Sequence, residues 1–543
     1  MDIFFSFTYY LFIIHLIRTL ISWLYLWQIK EYRLDRIVVH IKETKQGKAI
    51  FFGFEPLVKL GIILFYFYTI FVPSLYFLIP ILVFSIYAYE SVRFGIDLVQ
   101  KKVKLPIFTP KLIFIGMLSI ATVFLMFLLP LLDKFFWLVF VDKFLIWIIA
   151  MYMGLFSFPS IFYKDTQINK AITKLRKHKK MKVIGITGSY GKGSTKEYID
   201  TILSPYFNTL KTPSTHNTPI GIARTILSGL VNKTQIFIVE MGAYKIGEIA
   251  EMCEFVKPSI GILTAVNDQH VSLFGSIENT KKAKFELIES LPSNGIALFN
   301  ANNENTKELF SLAKKKNKYL YYVGNKNTMK AHIYAKIVKV NPTSVLFDVQ
   351  IGSKKYKNLE VNLVGAHHIQ NILPGIFIAQ LFKVQKKDIE KSLHDIKPLY
   401  KTMQPFIAVD NEALLIDDTY NANPASVISA AEYLSHQKGK KGLVLQPMIE
   451  LGKHAKQEHY AVAKKIGSIC DYLFVTNMNF NTEIKQGLLD SGNTCTLVVG
   501  SPSSLVNKIE KEFGKEDVIV FEGKDSFAVL DLISRKSIES NRQ

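Results

Sequence analysis

Two hydrophobic patterns divide this chain, and the change falls near residue 160. Ahead of it, apolar residues come in long runs such as "LGIILFYFYTIFVP" and "FIGMLSIATVFLMFLLPLL". Behind it, they come in short runs separated by stretches of helical periodicity. Crossing a bilayer takes about 20 apolar residues in a helix. Residues 4–27, 112–131 and 135–158 meet that requirement. Residues 57–90 are too long for one helix, and Pro73 and Pro80 interrupt them, which predicts two short helices in a hairpin. Residues 1–160 therefore read as an all-α transmembrane region of about five helices.

Lysine and arginine near the span ends set the orientation. The 29–56 loop carries Lys30, Arg33, Arg36, Lys42, Lys45 and Lys48, and the 91–111 loop carries Arg93, Lys101, Lys102, Lys104 and Lys111. A third basic segment, Lys170 to Lys180, follows the last span. Five spans with the amino terminus outside put all three on the cytoplasmic side, so the expectation is a multi-pass cell-membrane protein with its soluble part in the cytoplasm. Asp2 precedes the first run and no small-residue cleavage site follows, which argues against a cleavable signal. His15 and Arg18 lie at membrane depth. Such groups are costly there, so the block is either a plain anchor or a pocket for a lipid-linked substrate.

The formal charge of +21 changes the picture little, because much of it flanks the apolar runs, where an anionic lipid bilayer is a better partner than nucleic acid. Cys253, Cys470 and Cys495 are scattered, without the spacing of a disulfide framework or a zinc site.

From residue 182 onward the pattern is α/β. Strand candidates are 182–187, 235–240, 260–264, 295–299, 412–416, 442–445, 472–475 and 517–521, with helical segments between most of them. Such alternation predicts parallel sheets wrapped by helices. Residues 329–363 alternate strictly and suggest an antiparallel insertion. A boundary near 400 divides a central domain, 181–399, from a carboxy-terminal domain, 400–543, and 161–180 reads as a basic linker.

The first strand runs into "TGSYGKGST", residues 187–195. A glycine-rich turn between strand and helix presents backbone N–H groups to phosphate oxygens. Lys192 can reach the terminal phosphates, and Ser194 or Thr195 offers a hydroxyl to phosphate or Mg²⁺. The spelling departs from G-x-x-x-x-G-K-S/T, having Ile186 at the first glycine and Gly193 after the lysine.

That departure resembles the loop of the Mur ligase superfamily, and further matches follow in order. "THNTPIG" (215–221), "IVEMGAYKIGEI" (238–249), "TAVNDQH" (264–270), "KAKFE" (282–286), "GAHHIQN" (365–371), "DDTYNANP" (417–424) and "MIELG" (448–452) are similar to the family's motifs, most of all to its MurF branch. The resemblance implies a Mur-ligase-type P-loop central domain and a Rossmann-like carboxy-terminal domain. It also implies an ATP-dependent carboxylate–amine ligase of cell-wall precursor synthesis that works through an acyl phosphate. The cofactors it implies are ATP and Mg²⁺. Its partners would be a nucleotide- or lipid-linked peptide precursor and an amino acid or dipeptide.

By the same resemblance, Gly188, Gly191, Lys192, Gly193, Ser194 and Thr195 hold phosphate. Ser194, Glu240 and His270 ligate Mg²⁺, and Lys284 becomes a carbamate that ligates a second metal. Asn371, Asp418, Tyr420, Asn421 and Asn423 surround the adenosine, while Lys192, Lys284 and His270 form the catalytic set. Taken alone, His270 reads as a surface histidine, Lys284 as a solvated helical lysine and "YNANP" as turn chemistry.

The match fails at several places. The family's Gly-Arg pair falls on Thr402 and Met403, with Lys401 near enough to substitute as a point charge. Gln446 and Pro447 stand in the usual G-D-M, and Glu522 and Lys524 in the branch's K-G-S. Apolar runs occupy the place of the uridine-nucleotide-binding domain expected before residue 181. A membrane protein with a regulatory or non-catalytic ATP-binding module is therefore the second reading.

Overall fold

The computed structural model describes residues 2–30, 32–43, 45–100, 103–128, 133–214, 216–267, 274–407, 412–448, 451, 454–492 and 494–540. They form two compact units, Met1–Thr166 and Gln167–Gln543.

In the first unit, five helices are long and apolar enough to cross a membrane: Ile3–Ile29, Gly47–Phe71, Pro73–Val99, Pro110–Phe127 and Lys134–Leu155. The run 57–90 breaks at Pro73, which opens a short 3-10 turn over Pro73–Leu75. Pro80 does not break it, because it lies in the first turn of the helix Leu78–Val99, where a missing N–H has no intrahelical partner to lose. Asp133 caps the last span, its Oδ1 accepting from the backbone N–H of Phe135 and Phe136.

Four ionisable side chains from four of these spans meet inside the bundle. His15 Nε2 lies 2.9 Å from Asp142 Oδ1 and His15 Nδ1 2.8 Å from Glu90 Oε2. Lys59 Nζ closes the ring at 2.6 Å from Asp142 Oδ2 and 2.8 Å from Glu90 Oε1. All four are buried. A protonated His15 facing two carboxylates makes the ring electrically neutral, which is the condition for keeping charge in an apolar interior. Arg18, the other polar group singled out in the first span, pairs with Asp97 at 3.1 Å.

In the second unit the first sheet has nine strands in the order β2-β3-β1-β4-β5-β6-β7-β8-β9. They are β1 (Lys182–Thr187), β2 (Thr209–Lys211), β3 (Ile236–Glu240), β4 (Ile260–Leu263), β5 (Ile296–Asn300), β6 (Asn317–Val323), β7 (Ile333–Val340), β8 (Val345–Ile351) and β9 (Lys354–Val361). Pairing is parallel from β2 through β7, and the last two pairs, β7–β8 and β8–β9, are antiparallel. The alternating segment 329–363 therefore extends the main sheet. The second sheet has six strands in the order β10-β11-β15-β12-β13-β14. These are β10 (Gln404–Ile407), β11 (Leu414–Asp418), β12 (Lys441–Leu445), β13 (Tyr472–Val475), β14 (Thr496–Val499) and β15 (Val518–Glu522). Only β10 runs antiparallel to its neighbour.

The stretch expected as a basic linker is largely helical, within Ser157–Leu175. Ile168, Ala171, Ile172 and Leu175 fall on one face at helical spacing and pack with Val183, Ile222 and Phe237, while Lys170 is exposed and Lys174 donates to the Ile226 and Leu227 carbonyls at 3.1 and 2.9 Å.

All four tryptophans, Trp23, Trp27, Trp137 and Trp147, lie in the first unit, so intrinsic tryptophan fluorescence reports on that unit alone. Lys59→Met leaves two buried carboxylates facing one histidine and is expected to destabilise the bundle by about 3–5 kcal/mol. The readout is an earlier tryptophan unfolding transition of the full chain in detergent, and an unchanged transition contradicts the ring's structural weight.

Candidate functional site

β1 sits between β3 and β4, and the chain leaves its carboxyl end in the glycine loop before turning into the helix Lys192–Leu203. Ligands of open α/β sheets bind at such strand ends. Two glycines are sterically fixed. A Cβ on Gly188 would stand 2.1 Å from Thr264 Oγ1, and one on Gly191, whose φ is +79°, 2.7 Å from Asn371 Oδ1. The loop is buttressed from outside, because Thr264 Oγ1 donates to the Tyr190 carbonyl at 2.6 Å and the Ser189 N–H donates to the Ala265 carbonyl at 2.7 Å. Lys192 folds over the loop and donates to the Gly188 and Ser189 carbonyls at 2.7 and 3.1 Å. Burial there draws its ammonium below the usual lysine range, against the pull of Glu240. The helix begins at Lys192, so the N–H groups of Lys192, Gly193 and Ser194 lie in its first turn without intrahelical partners, while the Thr195 N–H donates to the Gly191 carbonyl at 2.9 Å.

Glu240 ends β3 in register with Ile186 of β1, and is buried. Its Oε2 accepts from Lys196 Nζ at 3.1 Å and its Oε1 from Asn217 Nδ2 at 3.4 Å. Lys284, on the helix Ile277–Glu289, is buried rather than solvated, with Nζ 3.5 Å from the Ala243 carbonyl. Burial first, and then the charge of Lys192, push its amine down to about 7, while Glu248 and Glu286 pull the other way. Glu286 accepts from the Gly247 and Ala250 N–H groups at 2.6 and 2.9 Å and so anchors the helix Glu248–Val256. His270 lies outside the described residues.

Asn371 lies beside the glycine loop. It is buried on the helix His368–Leu381, and its Oδ1 faces Gly191 and lies 3.4 Å from Thr195 Oγ1. Asp418, Tyr420, Asn421 and Asn423 belong to the second sheet, where β11 runs into the helix Pro424–Ser435. Asn423 caps that helix, its Oδ1 accepting from the Ala425 and Ser426 N–H groups, so the local turn chemistry of "YNANP" is real. Tyr420 is exposed and Asn421 half-buried.

Asp418 and Glu522 are partners in register at the ends of β11 and β15 and are both buried. Burial pushes Asp418 up to about 7, and burial together with the Asp418 charge raises Glu522 well above the carboxylate range. Two carboxyl groups this close and dry hold a proton between them. Ser426 Oγ donates to Glu522 Oε2 at 3.3 Å, and the Met403 N–H donates to Asp418 Oδ1 at 3.3 Å. Met403 itself is a core side chain with a φ of +44°. Lys401 Nζ lies 3.2 Å from the centre of the Phe527 ring, so its charge rests on an aromatic face.

The arrangement offers the groups a triphosphate tail calls for. Glycines permit close backbone approach, Lys192 supplies positive charge, and Ser194 and Glu240 are oxygen donors of the kind Mg²⁺ takes. Sequence reasoning overlooked Lys196, although "GKGSTKE" carries it one helical turn beyond Lys192 on the same face.

Comparison with known proteins places this geometry. Residues 186–379 match the Mur ligase middle domain and residues 403–525 the Mur ligase glutamate ligase domain, together more than half of the chain. The UDP-N-acetylmuramoyl-tripeptide–D-alanyl-D-alanine ligase of Buchnera aphidicola is 29% identical over 382 residues, 66% of this chain and 82% of that one. The Escherichia coli enzyme of the same name is 29% identical over 308 residues, 56% of this chain and 67% of that one. Among solved structures, MurF from Acinetobacter baumannii superposes with a TM-score of 0.60 at 24% identity, over 69% of this chain and 80% of that one. MurF ligase from Thermotoga maritima in complex with ADP gives 0.60 at 22% identity, over 69% and 84%.

The acid pair makes a pH prediction. A carboxyl group whose folded value lies above its unfolded one, near 4, binds more protons when folded, so its contribution to stability is full below that pH and fades as pH rises through the folded value. Calorimetry is expected to show the ligase unit losing stability as pH rises from about 5 to about 8, and Glu522→Gln flattening that slope. An equal slope in the variant contradicts the shared proton.

Proposed function

Because the chain belongs to the Mur ligase family and is an ATP-dependent ligase, we propose that it acts as a MurF-like peptide ligase in peptidoglycan synthesis, working from the membrane. In this reading the donor is a peptide precursor ending in a carboxylate, and the acceptor is an amine such as D-alanyl-D-alanine. The curated relatives carry that dipeptide in their names. The donor carboxylate takes the γ-phosphoryl group of ATP and ADP leaves. The acceptor amine then attacks the acyl carbon, phosphate leaves and the amine loses a proton.

The observation that carries this reading is the grouping of the glycine loop, Lys192, Glu240 and the buried Lys284 around the strand ends in the parallel part of the first sheet. Backbone amides and Lys192 bind the phosphates and compensate the charge spread over the transferring group. Glu240, Ser194 and His270 would hold Mg²⁺, which supplies further neutralisation of that charge when bound. Lys284, lowered to about 7, reaches near neutral pH the unprotonated form that reacts with carbon dioxide, and the resulting carbamate offers oxygen where the ammonium would repel a metal. Asn371, Asp418, Tyr420, Asn421 and Asn423 are assigned to the adenosine side, and Asn371 also supports the loop.

The basic loops argue for ligase domains on the cytoplasmic face of a lipid bilayer. The central domain is taken as 181–399 and the carboxy-terminal domain as 400–543. A non-catalytic nucleotide-binding module is the second reading, favoured by the buried Met403 where the family has arginine.

Purified full-length protein is expected to release phosphate from ATP only when both a peptide donor and an amine acceptor are present. Nucleotide binding with no amine-dependent turnover would select the second reading. Lys284→Ala should abolish turnover and regain it partly with short carboxylates. Carbon-13 bicarbonate should label the wild-type chain increasingly as pH rises through about 7, and no label at Lys284 would remove its assigned role.

A further inference from the structure

We propose that Lys196 is a positioning residue of the ligase reaction, a resident counter-cation of Glu240 that makes divalent-metal binding depend on nucleotide. The inference rests on the reading of Glu240 as a metal ligand. Lys196 is 0% exposed, on the second turn of the helix that follows the glycine loop. Its ammonium lies 3.1 Å from Glu240 Oε2 and 3.6 Å from Glu197 Oε1. Glu240 is otherwise held by Asn217 on Oε1 and by its own N–H, which donates to Thr212 Oγ1 at 3.0 Å. Its Oε2 also stands 3.7 Å from where a Cβ on Gly193 would be, so the carboxylate lies directly under the first turn after the loop.

A fully buried ammonium is retained only when paired, and here its nearest partner is the carboxylate assigned to the metal. Two consequences follow from that contact. Lys196 keeps Glu240 in one orientation, and it presents a fixed positive charge to any cation arriving at the same group. A bare divalent ion is therefore opposed. One that arrives with the phosphate tail is not, because the phosphate charges offset the ammonium. Lys192 answers to the phosphates, and Lys196 answers to the carboxylate one turn below.

The experiment titrates Mn²⁺ into the full chain in detergent, with and without ADP, and reads free Mn²⁺ by electron paramagnetic resonance. Without nucleotide, Lys196→Met is expected to bind Mn²⁺ about tenfold or more tightly than wild type. With ADP the difference should shrink. Lys196→Gln, which keeps a donor for Oε2 without the charge, should show the same gain, and Lys196→Arg should show none. Adding Glu240→Gln to Lys196→Met should erase the gain. If both neutral variants fold and bind Mn²⁺ no better than wild type, the counter-cation role is overturned. If instead Glu240→Gln alone leaves Mn²⁺ affinity unchanged in the presence of ADP, Glu240 is not a ligand and the functional reading beneath this one fails separately.

Discussion

The close approach of the glycine loop to the ends of β1 and β4 is the constraint on which the ligase unit depends. Gly188 is pressed against Thr264, and Gly191 against Asn371, with no room for a methyl group at either place. That contact fixes where the helix Lys192–Leu203 begins, and so where its unpartnered N–H groups point. It also fixes Lys192 over the loop and Lys196 one turn further on. Asn371 comes from far along the sequence, so the loop is locked by a helix that packs across the sheet rather than by its own turn.

The charges around the loop follow from this packing. Lys196 and Lys284 are buried and Lys192 half-buried, with Glu240 paired to Lys196 and pulling on Lys192, and Glu248 and Glu286 pulling on Lys284. Glu286 is committed to backbone N–H groups. Burial of an amine with no close ion-pair partner favours its neutral form, and the lowering of Lys284 follows from that burial first and from the Lys192 charge second. In the second sheet Asp418 and Glu522 stand face to face, and among the described residues the donors to their side chains are neutral, Ser426 and the Met403 N–H.

Much of this was legible in the sequence. Apolar run lengths gave five spans, and buried parallel strands such as β3 and β15 stood out because both faces are apolar. β2, β10 and β14 escaped because they are short sheet edges with half-exposed faces, and β6 because its interior positions are mixed with lysine, asparagine and tyrosine. His15 was visible as a polar group at membrane depth, but not its partners. Glu90 and Asp142 are 75 and 127 residues away, and only helix packing brings them together. Lys196 was hidden by being one more lysine beside a motif, and its burial is a property of the fold. Asn371 was found by motif, but its contact with Gly191 and Thr195 was not, since spacing along a chain does not say which loop a helix end will face.

The central claim is that phosphate is held by the backbone of this loop. Its most direct measurement is calorimetric titration of ADP into the full chain and into Gly191→Val. The account predicts that the wild type binds and that the variant, melting at a similar temperature, loses at least about a hundredfold in affinity, because a side chain cannot take the left-handed conformation beside Asn371 without moving the loop. Equal affinity in the two proteins would contradict it.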